Sequence, residues 1–288
     1  MSETVVTRPV MRYHGGKWKL AKWIISHFPK HRVYVEPFGG AASVLMQKPR
    51  SYAEVYNDLD GEIVNVFKVL RNPTQARELL RLLQLTPYAR EEFYLSYLID
   101  GDPIEQARRT IARSFMGFGS AAATGYQTGF RSNCNRSGTT PAHDWAHYPR
   151  TLTQIIERLN GVVIENRPAV DVIRQHDGSQ TLHYIDPPYV FDTRYQVNHN
   201  GHMEYRHEIT DDQHRELAEV LHSVAGMVVI SGYACPLYEE LYQDWHRVNR
   251  KTFADGASAR TESLWINPNA TSKRAQMVLN FEEREPLP

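Results

Sequence analysis

His183-Tyr184-Ile185-Asp186-Pro187-Pro188-Tyr189 is the stretch that decides how this chain is read. An apolar run ends in a carboxylate, two prolines follow, and an aromatic ring is presented. Each proline fixes φ, removes a backbone N–H and biases the residue before it towards extended backbone. The chain therefore leaves a strand in a stiff, extended loop. Such a loop leaves the Asp186 carboxylate and the Asp186 and Pro187 carbonyls able to accept hydrogen bonds, with Tyr189 beside them as a flat stacking surface. Acceptors in one plane and a ring above it suit an exocyclic amine on a planar base. A loop with a capping aspartate and a half-buried tyrosine satisfies the same residues, so the rest of the chain has to decide.

Upstream, Arg12-Tyr13-His14-Gly15-Gly16-Lys17-Trp18 precedes a helical pattern of Leu20, Trp23, Ile24 and Phe28 that stops at Pro29. The paired glycines let backbone approach a ligand closely, and Lys17 stands at the start of the helix. The spacing is not that of a P-loop. Val33-Tyr34-Val35 reads as a short buried strand. It runs into Glu36-Pro37-Phe38-Gly39-Gly40-Ala41-Ala42-Ser43 and then an apolar helix through Leu45 and Met46. Strand, glycine turn and helix form the first unit of a nucleotide-binding doubly wound sheet. A second strand, Tyr52 to Tyr56, ends in Asn57-Asp58. An acid about 20 residues past the glycine turn is placed to accept from both hydroxyls of a ribose. The combination points to an adenosine-containing cofactor. A dinucleotide oxidoreductase is excluded, because its Gly-x-Gly-x-x-Gly fingerprint cannot be fitted to residues 36–40.

These segments resemble the Dam-like N6-adenine DNA methyltransferases of the class alpha, phage or prophage type, in which the cofactor motifs come first and Asp-Pro-Pro-Tyr later. Asp at the first position is typical of the adenine enzymes, whereas Asn is commoner in those that modify protein glutamine. The resemblance implies a Rossmann-like α/β sheet and S-adenosyl-L-methionine as methyl donor. It makes Tyr13, Gly15, Gly16 and Lys17 one cofactor-binding segment and Glu36, Pro37, Phe38, Gly39 and Gly40 a second. Asp58 becomes the ribose acid, and Asp186 is shared between cofactor and substrate. Asp186, Pro187, Pro188 and Tyr189 become the catalytic loop. Asn166, with Arg167, follows the strand whose turn touches the cofactor's adenine ring in the family, although Pro168 stands where an acid is frequent. Many members also carry glycine where this chain has Ala42. The likeness covers Arg12 to Phe67 and Val162 to Tyr242, and is loose in between.

Composition sets bounds around this reading. A chain of 288 residues, 41% hydrophobic and 23% charged, has the make-up of a soluble globular protein with one α/β domain and a smaller inserted one. No apolar run has the length of a membrane span, Met1 to Pro9 lacks a signal-peptide pattern, and Cys134 and Cys235 form no disulfide framework. A protein in the cytoplasm of a bacterial or phage-infected cell is expected. The net charge of +0 argues against a passive polyanion binder, but its distribution is uneven. Thr4 to Val35 has seven basic residues and no acid, and Arg108 to Arg150 has six arginines against Asp144 alone. Two basic stretches in a neutral protein suit a side that faces nucleic acid.

The middle of the chain turns helical after Asn72-Pro73, through Leu79, Leu80 and Leu83, then Tyr88 to Ile99, then a helix through Ile111. Asp102-Pro103 with Glu105 predicts a capping box for the last of these. From Phe115 to Pro149 the chain is rich in glycine and polar residues and carries Gln127, Arg131, Asn133, Asn135 and Arg136, with Tyr126 and Phe130 interleaved. Arginine reads guanine edges, asparagine reads adenine edges, and the rings can stack or wedge. Dam-like enzymes carry target recognition at this place. The expected organisation is a catalytic region of 1–71 and 150–288 with an inserted target-recognition domain, mainly helical and loop-rich, over 72–149.

Beyond the catalytic loop, His199, His202, Glu204 and His207 have no metal-ligand spacing, and no metal is expected. Thr210 to Gln213 predicts a helix cap and Met227 to Ile230 a core strand, and Tyr233 at that strand's carboxyl end suits either a wall of the base pocket or a structural role. Trp245–Phe253, Glu262–Ile266 and Gln276–Phe281 read as final strands. The expected activity is site-specific methylation of adenine N6 in double-stranded DNA, by a monomer or weak dimer, with the base flipped into the Asp-Pro-Pro-Tyr pocket. Methylation of cytosine N4, of RNA adenine or of protein, and a non-catalytic DNA-binding module, are the competing readings. Target sequence and biological role (regulation, restriction–modification or phage self-modification) stay open.

Overall fold

The computed structural model describes residues 5–118, 127–133, 135, 138–193, 206–253 and 259–272. A single sheet of seven strands forms its centre: β1 (Val33–Glu36), β2 (Ala53–Asn57), β3 (Val162–Glu165), β4 (Thr181–Ile185), β5 (Met227–Gly232), β6 (His246–Phe253) and β7 (Ala259–Ile266). They lie in the order β3-β2-β1-β4-β5-β7-β6. The first five are parallel, and β7 runs antiparallel to both β5 and β6. β4 and β5 are buried throughout, and β5 opens on a continuous apolar run, Met227 to Ile230, as expected of a strand covered on both faces. β1 lies between β2 and β4, with Val35 opposite both Val55 and His183. The strand order reverses there, and in such sheets ligands bind beyond the carboxyl ends of the strands at the reversal. Those ends are Glu36 and Ile185-Asp186.

The helices are α1 (Ala21–Ile25), α2 (Gly61–Arg71), α3 (Pro73–Leu85), α4 (Arg90–Leu95), α5 (Pro103–Met116), α6 (Pro141–His147), α7 (Leu152–Leu159), α8 (Ala169–Gln175), α9 (Asp211–Ser223) and α10 (Pro236–Leu241). One apolar cluster joins the sheet, through Tyr34, Tyr56, Leu182 and Tyr184, to Leu79, Phe93, Ile111, Phe115 and Trp145 of α3–α6. A second lies on the other side, around Ile185, Ile230, Leu217, Tyr238 and Trp265.

Several elements depart from the sequence expectation. Leu45 and Met46 lie in hydrogen-bonded turns and not in a helix. Ala42, at φ +54, is the only non-glycine residue with positive φ among those described, and it stops a helix from starting in register. Pro49 then ends the stretch. β3 is an edge strand with Val163 44% exposed, so it is not fully buried. Asp102 caps α5 by accepting from Ile104 and Glu105, but the Glu105 side chain turns to Arg108 and Arg109, so the reciprocal half of the box is missing. The stretch between Phe115 and Pro149 holds a helix, α6, capped by Thr140. Gln276–Phe281 lies outside the described residues.

Candidate active site

At the strand-order reversal the protein has a cleft of about 260 Å³. The turn after β1 forms one wall. Glu36 is buried, and its Oε2 accepts from the Tyr34 hydroxyl (2.8 Å) and the Leu45 amide (3.0 Å), so the acid holds the turn together from inside. Burial pushes its carboxyl up to about 8, opposed by the Tyr34 hydrogen bond and reinforced by nearby Asp186. Gly40 sits at φ +45, and a Cβ there would lie 2.7 Å from the Tyr13 ring, so the turn and the Tyr13 segment close on each other only because the position is glycine. Asn57 binds the turn from behind. Its amide donates to Pro37 O and Arg167 O while its oxygen accepts from Arg167 N.

Asp58 lines the cleft half-buried, with its oxygens accepting from Gly40 N (2.7 Å) and Asp60 N (2.8 Å). Burial pushes this carboxyl up to about 6 against the pull of those two bonds. Tyr13, Gly15, Gly16, Lys17, Glu36, Phe38, Gly39, Gly40, Asp58 and Asp186 all line the same cleft. Pro37 and Asn166 do not. The Asn166 amide instead donates to Asp58 O and Leu59 O, fixing the loop that carries the acid. The sequence reading left out Asp60, Arg206 and the first turns of α9, where Gln213, Glu216 and Leu217 face the cleft. Arg206 pairs with Asp60 at 3.0 Å and Glu62 at 2.8 Å. Nothing local in the sequence links residues that far apart.

The residues after β4 form the floor. Asp186 Oδ1 is 2.9 Å from Lys17 Nζ and accepts from Ser231 Oγ at 2.8 Å, and Tyr184 hydroxyl stands 3.1 Å behind Ser231. Lys17 is only 6% exposed, donates also to Gly15 O, and lies 4.6 Å over the Tyr189 ring. The Gly-Gly-Lys segment and the Asp-Pro-Pro-Tyr loop are therefore one structure. Pro187 is buried and Pro188 lines the cleft. Tyr189 meets the edge of Tyr233 at 4.7 Å and donates its hydroxyl proton to Glu262.

The proposed recognition residues lie elsewhere. Phe118 N donates to Gly129 O, and Arg131 N to Met116 O, so 127–131 runs antiparallel to the end of α5. Phe130 packs on Tyr88 and Phe93. Gln127, Asn133 and Asn135 are exposed, Asn133 Oδ1 accepts from Asn135 N, and Arg131 O accepts from the Tyr88 hydroxyl. Arg136 lies outside the described residues, as do His199, His202 and Glu204. Among the described residues no cluster of metal-ligating side chains occurs, and no helix is long and apolar enough to cross a membrane.

The DNA adenine methylases of Escherichia coli K12 and O157:H7 are each 23% identical to the chain over 249 residues, covering 82% of it and 84% of the relative. Residues 13–255, most of the chain and all of the cleft, match the model of the D12 class N6 adenine-specific DNA methyltransferases. The chain belongs to that family.

Proposed function

We propose that the cleft binds S-adenosyl-L-methionine, and that the target adenine of duplex DNA is rotated out of the helix to meet Asp186, Pro187 and Tyr189. The observation that carries this reading is that Asp186, at the floor of a cleft walled by the glycine turn, and the ring of Tyr189 beside it are both held by Lys17. The cleft suits the cofactor chemically. It offers Asp58 and Asp60 as acceptors for ribose hydroxyls, and Asp60 Oδ2 is buried with no hydrogen-bond partner among the described residues. It adds the Asp186 carboxylate for a positively charged group, with Glu36, its carboxyl raised to about 8, as an uncharged polar neighbour. When bound, the cofactor supplies a methyl group already activated on a sulfonium.

A base inside a duplex cannot reach a floor buried between strand ends, so extrusion is required. The Asp186 carboxylate and the Pro187 carbonyl accept the two N6 hydrogens and turn the amine's lone pair towards the cleft. The Tyr189 ring holds the base plane, and Ser231 and Lys17 keep Asp186 from rotating. Orientation is the main contribution of these residues, and no metal is needed for in-line transfer to an activated acceptor. Residues 72–149, with Gln127, Arg131, Asn133, Asn135 and Arg136, serve as the surface that reads the target sequence. The protein works in this reading as a monomer or weak dimer on DNA in the cytoplasm.

The test is incubation with isotopically labelled S-adenosyl-L-methionine and unmethylated duplex DNA, followed by nucleoside mass spectrometry. Label is expected in N6-methyl-2′-deoxyadenosine, and Asp186→Ala is expected to abolish it while largely retaining cofactor binding. Label in N4-methylcytosine, or label only with RNA or protein acceptors, would move the acceptor. Loss of cofactor binding on Asp186→Ala alone would mean that the aspartate holds the cofactor and not the base.

A further inference from the structure

The β6–β7 hairpin carries none of the motifs read from the sequence, yet it reaches the catalytic loop. Glu262 on β7 is 3% exposed, and its Oε1 accepts the phenolic proton of Tyr189. β7 is pinned to β5 through the pairs Ser231↔Leu264 and Gly232↔Ser263. β5 is also the strand whose Ser231 holds Asp186. The two working ends of the loop thus hang on neighbouring strands, the carboxylate on β5 and the ring on β7. The ring is held at Cβ by the chain and at its hydroxyl by Glu262, while the Tyr233 contact at an interplanar angle of 80° limits its tilt.

A phenol that donates to a carboxylate makes a strong, charge-assisted bond. The same polarisation makes the ring face richer in electrons, and aromatic faces attract cations. Lys17 already places an ammonium over this ring. Resting on the reading that adenine stacks on Tyr189, we propose that Glu262 is a positioning residue for methyl transfer, fixing the Tyr189 ring and strengthening its face for positive charge. In the transfer the N6 lone pair forms the new N–C bond and the electron pair of the broken C–S bond stays on sulfur. One unit of positive charge therefore arrives on the base, and it leaves when an N6 proton passes to the Asp186 carboxylate. A ring that holds a cation better than a neutral base acts on this step and not on binding.

The test compares Tyr189→Phe, Glu262→Ala, Glu262→Gln and the double variant Tyr189→Phe/Glu262→Ala. Tyr189→Phe and Glu262→Ala are each expected to lower the single-turnover rate about ten- to hundredfold, with KM for duplex DNA changed less than about threefold. The double variant is expected to be no slower than the worse single one, because both remove the same bond. Glu262→Gln, which keeps an acceptor without the charge, should fall between Ala and wild type. Unfolding curves of wild type, Tyr189→Phe, Glu262→Ala and the double variant form an activity-independent cycle, in which the single losses should likewise fail to add. If Glu262→Ala does not fold, Tyr189→Phe against Glu262→Gln still decides. Wild-type rates in both, or additive effects in the cycle, overturn the proposal. A wild-type protein that transfers no methyl group to adenine, with the unfolding cycle still coupled, would overturn the role while leaving the contact, and so locates the failure in the reading of function.

Discussion

Glu36 stands where a charge is least welcome, at the buried end of β1 beside Asp186. Burial raises its carboxyl to about 8 from an ordinary value near 4.5, and burial raises the neighbouring Asp58 to about 6. An acid whose folded value lies above its unfolded one binds more protons in the folded state. Its contribution to stability is therefore complete below the unfolded value and is lost as pH rises towards the folded one. For Glu36 that window runs from about 4.5 to about 8, with about 1.4 kcal/mol lost per pH unit inside it. Glu36→Gln keeps the acceptor for Tyr34 and Leu45 and cannot ionise. The variant is expected to melt above wild type at pH 8 by an amount that shrinks towards pH 5, in ligand-free thermal scans. Equal melting points across that range would show that the buried acid is already compensated. The Glu-Pro-Phe-Gly-Gly turn was legible in the sequence as a candidate site, but the job of its acid in bonding the turn from inside was not. Tyr34 and Leu45 are ordinary core residues until the fold brings them to it.

Among the elements, α9 shows what local rules can and cannot do. Thr210 and Gln213 make both halves of a capping box, as the sequence predicts, and the first turns of the helix then face the cleft through Gln213, Glu216 and Leu217. Thr210→Ala is expected to lower stability by about 1 kcal/mol in urea unfolding. It is also expected to weaken cofactor binding, because the frayed turn is cleft wall. Binding unchanged at the lower stability would detach the helix start from the site. The same spacing at Asp102 and Glu105 gives only half a box, because Arg108 and Arg109 one turn later compete for the glutamate with charge-assisted bonds. The turn at Ala42 fails for a different reason. An apolar, alanine-rich run reads as helix, whereas Ala42 takes positive φ two residues after Gly40 packs against Tyr13, a contact that no local pattern encodes.

At the scale of the molecule, composition separates 72–149 from the remainder, but packing does not. The core that contains Tyr34, Tyr56 and Tyr184 of the sheet also contains Leu79, Phe93, Ile111 and Trp145. Polar ties run across the same boundary. Arg113 of α5 reaches Glu62 at the start of α2, and the Asn65 amide of α2 donates to the carbonyl of Pro103 at the start of α5. A buried network also sets Arg158 and Lys48 on Glu54 within β2. Removing one member of such a network leaves uncompensated buried charge, and Glu54→Gln is expected to cost about 3–5 kcal/mol. A domain with its own core unfolds on its own, whereas elements that share one core unfold together. Calorimetry is therefore expected to give one cooperative transition whose calorimetric and van't Hoff enthalpies agree, and Glu54→Gln should shift the whole transition. Two resolved transitions, with only one moved by Glu54→Gln, would show that the helical region folds apart from the sheet. The distinction bears on function. On the proposed reading, a recognition surface that shares the core of Tyr184 with the sheet would bring the base to Tyr189 by deforming the duplex and not by moving a domain.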